Sequence, residues 1–318
     1  MDDNLTFRSF KLTDKKLILD LFTHSYGHSS SELAWSWRFI GNPSGSAIIQ
    51  LAFEGSLLVA HYAITPVSLR NEGRNLATGL SGTTMTHSAY RGRGLFPILA
   101  RNTYRRMKEM GMGMVWGFPN SMSHRGFIKD LNWVDLYEVP TFRLSLSNSR
   151  SLPSSGEAVV ELDEFPQNVD DLWESVRNDY SILTVRDRQF LNWRYVQNPT
   201  GRYRIIAHLD GSDLLGYAVY KRYKNEFQVV DILTVNDTDI GVQLITHIIH
   251  RAIDESLDAV SMWLNVTHPL HRALERLGFS NGLPVTYFGG LVLQPELSNA
   301  GLYDFKRWYI TMGDSDVF

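Results

Sequence analysis

Ser88-Ala89-Tyr90-Arg91-Gly92-Arg93-Gly94-Leu95-Phe96 is the stretch from which the rest of the chain can be placed. Before it, residues 76–86 read as a strand. After it, residues 95–110 carry Leu95, Ile98, Leu99, Met107 and Met110 at spacings close to a helical stripe, with Arg101, Arg105, Arg106 and Lys108 largely on the other side. Pro97 falls in the first turn of that helix, where its missing N–H costs nothing. Gly92 and Gly94 let the backbone turn tightly and aim successive N–H groups at one point, to which the start of the helix adds its positive end. Such a nest suits a phosphate, and Arg91 and Arg93 can add charge-assisted bonds. No Gly-Lys-Ser/Thr follows and no G-x-G-x-x-G is present, so neither a P-loop nor a dinucleotide fingerprint is read here.

Outward from the nest, residues 114–118 predict a second strand and residues 125–131 a short helix. The same order recurs in the second half. Trp37-Arg38-Phe39-Ile40-Gly41-Asn42-Pro43-Ser44-Gly45 is matched by Trp193-Arg194-Tyr195-Val196-Gln197-Asn198-Pro199-Thr200-Gly201, at an offset of 156 residues. Each copy runs on through a hairpin turn, Glu54-Gly55 or Asp210-Gly211, into strand-like residues 57–64 or 214–220. Residues 229–235, 241–256, 259–265 and 270–277 then repeat strand, long helix, strand and short helix. Between the copies, residues 145–156 read SLSNSRSLPSSG, a linker or exposed loop. The expected organisation is α/β, with two tandem units over residues 1–144 and 159–318 joined by a serine-rich linker over 145–158.

Composition narrows the chemistry. Of 318 residues 43% are hydrophobic, enough for a sizeable core, and 31 basic against 34 acidic side chains leave a net charge of -3, which argues against a broad nucleic-acid footprint. There is no cysteine, so disulfides, Cys-based zinc sites, iron–sulfur clusters and thiol catalysis are excluded, and no metal site is expected. The acidic opening leads into no long apolar run; a soluble, cytoplasmic protein without membrane partners is the expectation.

The strand, the Arg-Gly-Arg-Gly-Leu turn, the amphipathic helix, a strand ending Trp116-Gly117-Phe118-Pro119-Asn120, and a helix closing at Leu131-Asn132-Trp133 together resemble the Gcn5-related N-acetyltransferase (GNAT) superfamily. The resemblance covers most of residues 5–144 and, more loosely, 160–292, in the manner of fused two-unit members. It implies two GNAT-like units, each a mixed, mainly antiparallel sheet flanked by helices, and acetyl-CoA or another acyl-CoA as co-substrate. It places Met85 and Thr86 against the pantetheine arm, Arg91, Gly92, Arg93, Gly94 and Leu95 around the pyrophosphate, and Asn120 at a further cofactor contact. Three departures stand out: Phe96 where Gly or Ala is usual, Ile128 where a tyrosine acid is frequent, and no carboxylate on residues 76–86. The second copy offers Thr234-Val235-Asn236-Asp237-Thr238-Asp239-Ile240-Gly241 in place of the nest, with one glycine, no arginine and two aspartates. It is expected to lack a cofactor site and to complete the acceptor pocket, giving one active site per chain.

Without cysteine, direct attack by an acceptor amine on the thioester is the natural route. His124, in Ser121-Met122-Ser123-His124-Arg125, is the candidate acid or base; a helix-capping or surface role is its alternative. His87 reads as structural, and His61 and Tyr62 as pocket lining or core. Asn265, Thr267 and His268, at the matching exit of the second copy, read as lining at most. The Trp-Arg-aromatic pair reads as a fold determinant, with Trp37 and Trp193 buried and each Asn-Pro opening a turn. The apolar tail, residues 308–318, is expected to dock, with presentation of its carboxylate to the acceptor as the alternative. The expectation for the whole is an acyl-CoA-dependent N-acetyltransferase acting on a small polar amine, with amino sugars as the leading class. An aminoacyl-tRNA-dependent transferase and a non-catalytic CoA sensor or scaffold are the alternatives.

Overall fold

The computed structural model describes residues 4–148 and 158–318. The first half runs β1 (Leu5–Ser9), α1 (Lys15–Tyr26), α2 (Glu32–Phe39), β2 (Ile48–Glu54), β3 (Leu57–Asn71), β4 (Arg74–Thr86), α3 (Leu95–Glu109), β5 (Met114–Gly117), α4 (His124–Leu131) and β6 (Val134–Ser145). The second runs β7 (Val159–Leu162), α5 (Val169–Val176), β8 (Ile182–Thr184), α6 (Arg188–Leu191), β9 (Tyr203–Asp210), β10 (Asp213–Tyr223), β11 (Glu226–Thr234), α7 (Thr238–Asp254), β12 (Ala259–Met262), α8 (Pro269–Arg276), β13 (Ser280–Val292) and β14 (Trp308–Tyr309). Strand–strand–strand–helix–strand–helix–strand therefore occurs twice, from β2 to β6 and from β9 to β13. Of the expected linker, Ser145 closes β6 and Leu146–Asn148 form a 3-10 turn, while residues 149–157 lie outside the described residues.

The chain folds into two compact units whose bounds differ from the expected halves. Unit 1 comprises residues 4–69, 75–137 and 287–303, and unit 2 residues 70–74, 138–286 and 304–318. The final strand of each half accounts for the difference. Phe142–Ser145 of β6 pair antiparallel with β12 in unit 2, and Gly289–Val292 of β13 pair antiparallel with β5 in unit 1. An edge strand's unpaired N–H and C=O groups accept any strand of suitable register, so hydrogen bonding alone does not tie it to its own half.

In unit 1 the strand order is β1-β2-β3-β4-β5-β13, antiparallel except for β4 with β5. Strand alternation sends Ala60, Tyr62 and Ile64 of β3 into one core, with Leu95, Leu99, Tyr104 and Met107 of α3 and Phe127 and Leu131 of α4. Ala63 enters the other core, with Ile18 and Leu21 of α1 and Trp35 and Phe39 of α2. Trp35 and Phe39 sit four apart and both point inward. Trp37, midway between them, falls on another face and is only half-buried, against expectation. Met110, placed on the stripe of α3, is 55% exposed because the helix ends at Glu109 and the chain turns through Gly111 at φ +74°.

In unit 2 the order is β6-β12-β11-β10-β9-β7. The Trp-Arg-aromatic motif here lies on one turn of π-helix, Asn192–Val196, which buries Trp193, Arg194 and Tyr195 together. Asn42 and Asn198 do open turns in both units: their Oδ1 atoms accept from Ser44 N (2.9 Å) and Thr200 N (3.0 Å). Arg194 donates to the carbonyls of Gly313 (3.3 Å) and Ser315 (3.1 Å) and to the terminal oxygen of Phe318, so the tail is docked inside unit 2. A second buried arginine, Arg186, joins Asp231 (3.1 Å) and Asp314 (2.9 Å), and Tyr195 donates to the same Asp231 at 3.0 Å. Both Arg186 and Asp231 are 1% exposed.

A buried cation removed from between two carboxylates leaves them uncompensated. Arg186→Met is expected to destabilise the protein by about 3–5 kcal/mol, read as a fall in the urea midpoint; a change below ~1 kcal/mol would show that this cluster behaves as a surface pair.

Candidate functional site

Two close approaches hold β4 and β5 in place, one in the middle of β4 and one at the end of β5. Cβ atoms built on Gly79 and Gly117 would lie 2.2 Å from Ile64 Cγ2 and 3.1 Å from the Ser81 carbonyl. Glycine at 79 lets β4 pack on β3 and α3, and glycine at 117 lets the end of β5 approach Ser81 of β4. They pair in parallel over only Thr78–Leu80 against Met114–Trp116; β4 then continues to Thr86, whereas β5 ends at Gly117. Beyond the Ser81–Gly117 contact the two chains run on without pairing to each other, residues 82–86 on one side and 118–120 on the other, and the opening is the space between them.

The free part of β4 contains a bulge. Gly79 points at Ile64 and Met107, and the Ser81 hydroxyl meets Tyr62 (2.8 Å), so both face the α3 core. Met85, at the same parity, lies instead in the α1–α2 core. An extra residue must intervene, and Thr83 is left-handed at φ +55°. Beyond it, the His87 N–H pairs with Val59 of β3 at 2.8 Å, so by alternation the backbone of Thr86, and of Thr84 two residues back, faces away from β3. Thr84 O consistently accepts from the Tyr26 hydroxyl instead (3.2 Å). Met85 accordingly offers the opening no side chain.

The nest follows directly. A 3-10 turn over Ser88–Tyr90 is capped by His87, which stacks on His24 at 4.1 Å, while the Tyr90 hydroxyl donates to Glu54. Gly92 and Gly94 both have positive φ, +78° and +73°, and a Cβ on either would meet nothing within 4 Å. Gly94 caps α3, whose first residue, Leu95, is buried. Arg91 Nε lies 3.5 Å from Thr86 O, and the Arg93 guanidinium rests over the Tyr90 ring at 4.7 Å. Phe96 is accommodated by Gly126 of α4, whose added Cβ would be 3.1 Å from the Phe96 ring.

Across the opening, Asn120 Oδ1 accepts from Met122 N (3.1 Å) and Ser123 N (3.0 Å), which orders the start of α4. His124 then stacks face to face on Tyr287 at 3.7 Å and gives Nε2 to Asp135 at 2.7 Å. Because a carboxylate only accepts, Nε2 carries the proton and the neutral ring is basic at Nδ1. Ile128 packs on the α3 core, so α4 supplies no hydroxyl at that position.

Other polar groups were not legible beforehand as a set. Tyr62, Tyr104, Ser81 and Trp133 form a buried chain at 2.8–3.0 Å, and burial raises both tyrosine pKa values above the ordinary range. Asp135 and Tyr287 carry no local motif; they are 11 and 163 residues from His124, and only folding brings them to it.

Unit 2 lacks the nest. Asp237 caps α7 with its own carboxylate, accepting from Asp239 N at 2.8 Å. The adjoining cavity, about 250 Å³, is lined by Asp179, Tyr180, Thr234, Asn236, Asp237 and His268 among others, with no lysine or arginine in its lining. Asn265 repeats the turn of Asn120, accepting from Thr267 N at 3.0 Å, and His268 caps α8. Among the described residues no three His, Cys, Asp or Glu side chains gather as metal ligands, and no helix is long and apolar enough to cross a membrane.

Residues 6–133 match the profile of the acetyltransferase (GNAT) domain family. No curated protein sequence matches the chain. Similar solved structures include a conserved protein of Enterococcus faecalis V583 (TM-score 0.74, 11% identity, 91% of this chain and 73% of that one). A GCN5-related N-acetyltransferase of Kribbella flavida follows at TM-score 0.70 and 16% identity, over 91% of this chain and 71% of that one. Saccharomyces cerevisiae N-myristoyltransferase with bound myristoyl-CoA matches at TM-score 0.61 and 12% identity, over 92% and 79%. At these identities the likeness is one of fold.

Burial pushes His61 and His268 down to about 4 from an ordinary 6.5. Between those values the unfolded chain binds more protons than the folded one. Their contribution is therefore complete above pH 6.5 and is lost as pH falls toward 4, by up to about 1.4 kcal/mol per pH unit for each ring. Urea unfolding at several pH values should show this slope, and His61→Asn should reduce it; an unchanged slope would mean His61 is protonated in the fold.

Proposed function

We propose that the chain, whose residues 6–133 match the acetyltransferase (GNAT) domain family, is an acyl-CoA-dependent N-acyltransferase of that family with its cofactor-binding machinery in unit 1. The carrying observation is the continuity of three features: the parting of β4 from β5, the backbone of Thr84 and Thr86 turned away from β3, and a two-glycine nest at the N-terminus of α3. The nest fits a pyrophosphate, since both glycines are left-handed and have open space in front of them. Arg91 and Arg93 supply positive charge, and the outward backbone of Thr86 can pair with an amide-bearing arm such as pantetheine. Met85 contributes through its backbone, and Asn120 through its side-chain amide group, the carbonyl oxygen being held in the α4 turn.

In the reaction, the neutral acceptor amine attacks the thioester carbonyl, the C–N bond forms, the C–S bond breaks, and the thiolate of CoA leaves with the amine's surplus proton to be removed. His124 Nδ1, with Nε2 held by Asp135, is the group proposed to take that proton. The acceptor is proposed to be a small polar primary amine, with an acetyl group as the usual acyl, and amino sugars are the class to test first.

Arg91→Ala combined with Gly94→Val should abolish CoA binding in calorimetry with the thermal transition retained, whereas Asn236→Ala in unit 2 should leave binding unchanged. Equal weakening by both would sink the single-site reading. His124→Gln should slow CoA release from acetyl-CoA in an amine panel by about 10²–10⁴-fold, and Asp135→Asn should slow it less. If the wild type binds CoA tightly yet releases none from acetyl-CoA with any amine, the protein is a CoA-binding module and not a transferase.

A further inference from the structure

We propose that His61 is a positioning residue for acyl transfer: by holding the Thr83 carbonyl it keeps the β4 bulge left-handed and so sets the backbone of Thr84–Thr86 along the opening. This rests on the acyl-CoA reading of unit 1 and adds to it a residue that touches neither the nest nor the reacting atoms.

Thr83 is an unfavourable residue for its conformation. A β-branched side chain at φ +55° is strained, and such a residue persists only where its surroundings over-determine it. His61 is the group that does so. Its Nδ1 lies 2.8 Å from Thr83 O, and because a carbonyl only accepts, Nδ1 carries the proton. Nε2 is buried and without a hydrogen-bond partner among the described residues, so the ring's hydrogen bonding there is the bond to Thr83. Burial lowers the ring's pKa to about 4, which keeps it neutral and its tautomer fixed near neutral pH. The ring stands on the α1–α2 face of β3, the same face that receives Met85 once the bulge has reversed the alternation.

The internal repeat supplies an independent comparison. The residue 156 positions after His61 is Tyr217, on β10. Its hydroxyl donates to Asp231 Oδ2 at 3.3 Å, not to a backbone carbonyl. β11 also has an extra residue, Val230, opposite Val219–Tyr220, yet no residue of β11 has positive φ. The imidazole clamp and the left-handed threonine therefore occur in the unit that has the two-glycine nest and are missing from the unit that lacks it. A clamp needed only to fold this sheet would serve both copies.

The test compares binding of acetyl-CoA with that of 3′-phospho-ADP, the part of CoA that reaches the nest but has no pantetheine arm. His61→Leu should weaken acetyl-CoA binding about tenfold, the scale of one lost buried hydrogen bond, and lower kcat, with 3′-phospho-ADP affinity unchanged. His61→Asn, whose amide nitrogen sits as many bonds from Cβ as Nδ1 does, should restore acetyl-CoA binding. Glycine adopts the left-handed turn unaided, so His61→Leu/Thr83→Gly should also recover it, and this double variant carries the test if His61→Leu does not fold. The proposal falls if both ligands weaken together, if His61→Leu binds acetyl-CoA as the wild type does, or if Thr83→Gly brings no recovery. A wild type that binds neither ligand overturns the acyl-CoA reading itself.

Discussion

β4 and β5 are pressed together at one end and part at the other, and the candidate site depends on that parting. Gly79 removes a Cβ that would collide with Ile64 of β3, and Gly117, the last residue of β5, removes one that would crowd the Ser81 carbonyl. Pairing with β5 lasts three residues, after which β4 continues beside β3 and reverses its faces at Thr83. The reversal buries Met85 against α1 and α2, turns the backbone of Thr86 outward, and delivers the chain into the Ser88–Gly94 turn that starts α3. A strand without the bulge would bring Met85 to the α3 face, where Tyr62, Leu99 and Met107 already fill the core.

The same order of elements is put to different uses in the two units. In unit 1 the third strand leads into a nest with left-handed glycines and nearby arginines. In unit 2 the matching strand leads to Asp237, whose carboxylate takes the N–H of Asp239, the second residue of α7, and leaves negative charge at the helix start. The polar groups of unit 2 are spent internally: Asp231 is shared by Arg186, Tyr195 and Tyr217, and Asp314 brings the tail into the same cluster. Buried ion pairs of this kind add little net stability but are costly to break, so they fix one arrangement of the tail.

At the other wall of the opening, the arrangement around His124 is built from short-range and long-range parts. Asn120 orders the start of α4, which sets the direction of the imidazole. Asp135 then fixes which nitrogen carries the proton, and the Tyr287 ring fixes the plane. A base needs all three constraints to meet a substrate in one geometry.

The amino-acid sequence by itself determined the α/β character, the repeat at 156 residues, the span of α3, and the tight glycine turn in front of it. These are local matters: helical periodicity, turn chemistry and glycine's left-handed freedom act within a few residues of one another. The tertiary structure alone decided which strand ends complete which unit, that Trp37 faces partly outward while Trp193 is buried, and that His61, Asp135 and Tyr287 reach Thr83 and His124. Those outcomes depend on which surfaces meet when the sheet packs against its helices. Contacts between residues 11 to 163 positions apart follow from that packing and leave no periodic signal along the chain.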